Sequence, residues 1–176
     1  MSFLYIISAF EVFLKDSINL LIRFDPEYLK RSEKKLSFSE VFNFNEYDEL
    51  TNFIADKIVY DLGFKSISEQ IKFLNKEIKI NLSFKNGNGM IANRRYINLE
   101  SITENFSTRN ILLHNGGIVN KRYLDANSSS SFEIGEKRKL SKDYLFNTWG
   151  DIKHYGEAIF RQSNIFIKDK KRLIGK

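Results

Sequence analysis

From Phe3 to Phe24 apolar side chains return at helical spacing, while Ser8, Glu11, Lys15, Asn19 and Arg23 fall along an opposite stripe. A helix patterned this way leaves an apolar face that other elements must cover, so the chain is expected to pack helix on helix. Asp25 and Pro26 close it, because the residue before a proline is pushed out of the helical region. A short helix can restart at the proline. Only one of the 176 residues is proline, helical spacing predominates and no internal repeat is present, which together point to an all-α bundle.

The remaining chain reads in the same terms. Residues 30–35 form a charged connection, and residues 36–44 alternate as a short strand or loop would. Asn45 and Asp48 start a helix that ends at Gly63, and Ser66 with Glu69 forms a capping box for a helix burying Ile67, Ile71, Leu74 and Ile78. Asn86 to Gly89 is a turn, and the residues before it can form a strand, giving room for a small β-hairpin. A helix over about residues 98–115 turns Ile102, Phe106 and Leu113 inward and stops at Gly116 and Gly117. After Tyr123 the chain loosens into a serine-rich loop and an extended segment over residues 132–140. A final helix from Ser141 carries Tyr144, Leu145, Trp149, Ile152, Ile159 and Phe160, and a basic tail follows at about residues 165–176.

Composition narrows the function classes. The absence of cysteine removes disulfides, thiolate catalysis and the usual structural zinc sites, and fits a cytoplasmic home. Glu11, Lys15 and Asp16 interrupt the only candidate for a membrane span or an export signal. A net charge of +6 favours a polyanionic partner. No carboxylate cluster suggests a two-metal site, and no Gly-rich phosphate loop is present, so no metal or cofactor is expected.

One stretch carries chemistry. Residues 107–123 hold Arg109 and, five positions on, His114. A guanidinium is a permanent cation whose planar fork suits phosphate oxygens, and an imidazole moves protons near neutral pH. The pair points to phosphodiester cleavage: His114 takes the proton of an RNA 2′-hydroxyl, Arg109 holds the charge growing on the phosphoryl oxygens, and Asn110 orients a ring nitrogen or a phosphate oxygen. Such cleavage leaves a 2′,3′-cyclic phosphate and a 5′-hydroxyl. Two basic-aromatic clusters, one with Arg94 and Arg95 before Tyr96 and one with Lys121 and Arg122 before Tyr123, are candidate RNA contacts.

Arg109, Asn110, three apolar residues and His114, followed by the small polar turn Asn115 to Asn120, resemble the catalytic signature of the HEPN superfamily. The resemblance covers roughly residues 3–24 and 98–162, and leaves a stretch at about 30–95 as an insertion within a single domain. It implies a four-helix bundle core with additional short helices, in which motif helices from two chains meet across a two-fold axis. The expected partners are therefore a second copy of the chain, an RNA substrate and an antitoxin or other regulatory protein. A homodimer also answers a geometric problem, since five residues turn an ideal helix by roughly 140° and one chain alone does not place both groups on one stripe. Family members that carry a tyrosine two residues after the histidine differ here, because Gly116 occupies that position. The expected function is a metal-independent endoribonuclease in a toxin or phage-defence role. The alternative is a helical module of the same family that binds and assembles without catalysis.

Overall fold

The computed structural model describes residues 2–31, 35–85 and 96–174. Its elements are α1 (Phe3–Phe24), α2 (Pro26–Arg31), α3 (Phe38–Val41), α4 (Tyr47–Leu62), α5 (Ile67–Lys76), β1 (Phe84–Lys85), β2 (Ile97–Asn98), α6 (Leu99–His114), α7 (Lys121–Ala126) and α8 (Lys142–Ile174). The fold is all-α apart from the two-residue strands. These strands pair in parallel, Phe84 with Ile97 and Lys85 with Asn98, so the small hairpin expected around the turn is not what forms. A parallel pair needs a crossover rather than a tight reversal between its strands. The turn itself, Asn86 to Gly89, lies outside the described residues. Among those residues no helix is long and apolar enough to cross a membrane.

The chain divides into two compact units, one of Met1–Phe13 with Leu82–Ile159 and one of Leu14–Asn81 with Phe160–Lys176. Helices α1 and α8 each contribute to both. In the second unit, Leu14, Ile18, Leu21 and Ile22 of α1 are buried, as are Ile67, Ile71, Leu74 and Ile78 in and after α5. Asp56 of α4 accepts hydrogen bonds from Asn19 (2.7 Å) and Arg23 (2.8 Å) of α1, and Tyr28 meets Phe73 edge to face. The Ser66–Glu69 capping box is present as expected.

Two local expectations in this unit give way. Residues 36–44 do not form a strand: Ser37 and Glu40 cap each other reciprocally and α3 follows. The Lys57 ammonium, 2.6 Å from Glu40, together with the Ser37 donors holds the Glu40 carboxyl down at about 2. Asn45 does not cap α4, because Glu46 takes the N-cap position in extended conformation and makes no side-chain cap bond. The basic segment from residue 165 is helical, being the end of α8, and its Lys170 reaches the buried Asp25 at 2.8 Å.

In the first unit, Phe3, Ile6, Ile7 and Phe10 of α1 are buried, with Ile102 and Ile111 of α6 and Ile152, Tyr155 and Ile159 of α8. Phe10 meets Phe106 edge to face at 6.3 Å, and Phe3 lies 5.6 Å from Tyr144. Burial on α8 follows Thr148, Ile152, Tyr155 and Ile159, so Trp149 and Phe160 fall off the stripe and are exposed. The chain does not loosen directly after Tyr123: α7 runs on to Ala126, its start capped by Asn120, which accepts from the Tyr123 amide.

Candidate functional site

Helix α6 is started by Asn98, whose side-chain oxygen accepts from the amides of Glu100 (3.0 Å) and Ser101 (3.1 Å). It runs to His114 within one residue of the expected ends at each terminus. Its buried stripe is Ile102, Asn105, Thr108 and Ile111, half of it polar. Leu113, expected inward, is 48% exposed, because it stands two residues, or roughly 200° of helix rotation, beyond Ile111. After His114 the chain turns through Gly116 and Gly117, both at positive φ, and the Asn115 and Gly117 amides return to the Ile111 carbonyl at 2.9 Å. Residues 117–119 are then clasped by residues 135–138 through the Arg138 amide to Gly117, the Val119 amide to Glu136 and the Gly135 amide to Val119.

Arg109 is held from two sides. Its Nη2 donates to Glu11 Oε2 of α1 at 2.6 Å, and its Nη1 donates to the Asn110 side-chain oxygen at 2.9 Å. The two ion-paired side chains retain 19% and 23% of their exposure, so the pair is shielded but not sealed from water. Nε of Arg109 is buried with no acceptor among the described residues. Asn110 is exposed and, with its oxygen committed to Arg109, its amide NH2 has no protein partner among the described residues. His114 is exposed at the last position of the helix and makes no side-chain hydrogen bond to either residue. Arg109 and Asn110 are therefore brought together, and His114 stands apart at the helix end, open to solvent.

The chain matches no family model, no curated protein and no solved structure.

A second cluster on α6, centred on Glu104, is not visible in the sequence. Glu104 Oε1 accepts from Thr108, Tyr123 and Arg138, each at 2.9 Å, and Oε2 accepts from Tyr144 at 2.5 Å. The Arg138 guanidinium is stacked between the rings of Phe132 (4.6 Å) and Tyr144 (4.5 Å). Four donors on one carboxylate join α6, α7, the clasping segment and α8. Burial, then the Glu104 charge, pushes the Tyr144 hydroxyl well above the usual phenol range, and burial raises Tyr123. Nothing in residue spacing points to this cluster, because its members are spread from position 104 to 144 and meet only in the fold. Glu11 is different: the sequence places it on the polar stripe of α1, and the fold brings it against Arg109.

The other candidate contacts divide. Arg94 and Arg95 lie outside the described residues. Lys121 is spent on Asp125 in an exposed i,i+4 pair at 2.7 Å, while Arg122 is exposed with no side-chain partner among the described residues. Both stand in the first turn of α7, directly after the post-histidine turn. Among the described residues no group of three or more His, Asp and Glu side chains gathers to hold a metal ion.

Proposed function

We propose that the chain is a metal-independent endoribonuclease of HEPN type, acting as a homodimer in which Arg109, Asn110 and His114 of two chains line one cleft. The observation that carries the reading is the disposition of the motif: a guanidinium braced by Glu11 and Asn110, and an unencumbered imidazole at the exposed end of the same helix. In the reaction His114 withdraws the 2′-hydroxyl proton, the oxygen attacks the adjacent phosphorus in line, and the 5′-oxygen leaves. Arg109 faces the charge that gathers on the non-bridging oxygens, and the outward Asn110 NH2 donates to one of them. Arg122 contacts a flanking phosphate. A toxin or phage-defence role, with a restraining protein partner, accords with an activity that would damage the cell's own RNA.

The test is incubation of RNA with the protein in EDTA, with products resolved by end group. Wild type yields 2′,3′-cyclic phosphate and 5′-hydroxyl ends, while Arg109→Ala and His114→Ala each lose at least about 100-fold in rate with unchanged circular dichroism. Sedimentation reports a dimer. A second reading has its own support, since an arginine tied to Glu11 also serves a purely structural ion pair in a binding module. A wild type that leaves every RNA intact while remaining dimeric decides for that module.

A further inference from the structure

Resting on the ribonuclease reading, we infer that Glu11 is a positioning residue for catalysis: its carboxylate aims the Arg109 guanidinium at the scissile phosphate and does not touch substrate itself. The argument begins with what a half-buried ion pair contributes. Shielding two charges from water costs about as much as their attraction returns, so such a pair is poor support for stability and its presence needs another account. Geometry supplies one. An arginine side chain has many rotamers open to it, and a cation left to swing over several ångströms stabilises a developing charge poorly.

Here that freedom is removed at both Nη atoms, by Glu11 at 2.6 Å and Asn110 at 2.9 Å. The two tethers have different origins. Asn110 is the next residue on α6 and moves with it, whereas Glu11 lies 98 positions away on α1 and fixes the guanidinium relative to a second helix. The register between those helices is set beside the pair: Phe10 precedes Glu11, Phe106 precedes Arg109 by one helical turn, and their rings meet edge to face. Each Nη carries two hydrogens and each tether uses one, which leaves one N–H on each Nη for a phosphoryl oxygen.

The inference is opposed to a latch, in which Glu11 would block Arg109 until substrate displaced it. The two ideas predict opposite signs. Cleavage is measured under single-turnover conditions with saturating enzyme, alongside thermal melting and the NMR signal of the Arg109 Nε–H. Positioning predicts that Glu11→Ala slows cleavage about 10- to 100-fold, that Glu11→Gln recovers most of the rate through its remaining oxygen acceptor, and that Glu11→Gln melts close to wild type while Glu11→Ala, which leaves the shielded guanidinium without its carboxylate, melts lower with unchanged circular dichroism. The Arg109 Nε–H signal, distinct in wild type, shifts and broadens in Glu11→Ala. Cleavage by Glu11→Ala at the wild-type rate or faster overturns the inference, as does an Nε–H signal unmoved by the substitution. A wild type without any activity removes the function and this role together, whereas an active wild type with an equally active Glu11→Ala removes this role alone.

Discussion

Glu104 illustrates how one carboxylate can organise a site it never faces. Tyr144 offers a single proton, and its oxygen lies 2.5 Å from Glu104 and 2.9 Å from the Asn105 side-chain oxygen, while Asn105 Nδ2 is buried without an acceptor. With the Asn105 amide turned over, its NH2 donates to the hydroxyls of Tyr144 and Thr148, and the single tyrosine proton goes to Glu104. The cluster has a consequence at high pH. Tyr123 and Tyr144 are raised above the ordinary tyrosine value of 10, and burial followed by the Asp151 charge pushes Tyr155 up to about 12. Below pH 10 these phenols are protonated whether the chain is folded or not, and their contribution is fully present. As pH rises past 10 the unfolded chain releases their protons first, so stability falls steadily up to and through the folded values. Urea unfolding between pH 8 and pH 12 is expected to show this decline, with ultraviolet absorbance recording late-ionising tyrosines that appear only as the protein unfolds. An unfolding midpoint flat across that range would refute the cluster as drawn.

At the scale of elements, the turn after His114 joins α6 to its support. Gly117 sits at φ +80, and a methyl group there would meet Leu112 at 3.3 Å and the Arg138 carbonyl at 3.5 Å. Gly116, at φ +57, faces open space. Gly117→Ala is therefore expected to cost about 1–2 kcal/mol from backbone strain alone, with added strain at the clasp. Gly116→Asn, whose side chain tolerates left-handed backbone, should cost less. Chemical denaturation compares the two, and equal losses would mean that the clasp does not bear on the turn. Helix α6 and this stop were readable from the sequence because caps and glycines act locally: Asn98 and the paired glycines bound the helix whatever surrounds it. The same locality was overlooked at Ser37 and Glu40, a capping pair hidden in a stretch whose apolar residues alternate, and at Asn120, which caps α7. Arg109, Asn110 and His114 were found by spacing along one helix. Glu104 could not be, since its partners are assembled by tertiary contacts, and the inward-facing polar residues Asn105 and Thr108 run against the rule that buried stripes are apolar.

For the whole molecule, the ribonuclease reading gives the net charge of +6 the task of attracting RNA before any bond is cut. Binding of a 2′-O-methyl oligonucleotide, which lacks the attacking hydroxyl, isolates that step. Its affinity should fall with salt, and Arg122→Ala should reduce the slope of log affinity against log salt by about 0.7, the share of one phosphate contact on a single strand. Lys121→Ala should change it less, because Asp125 already neutralises that ammonium in part. Identical slopes for wild type and Arg122→Ala would remove Arg122 from the interface. The two-unit division bears on the same question, since every residue of the motif, both of its braces and the Glu104 cluster belong to the unit of Met1–Phe13 and Leu82–Ile159.

That assembly also has a timetable. On the ribosome Glu11 emerges 98 positions ahead of Arg109, and Glu104 then waits a further 40 for Tyr144. A nascent chain paused after the histidine would display the full signature while lacking the downstream residues that hold Glu104, so the support of α6 is complete only as the final helix is translated.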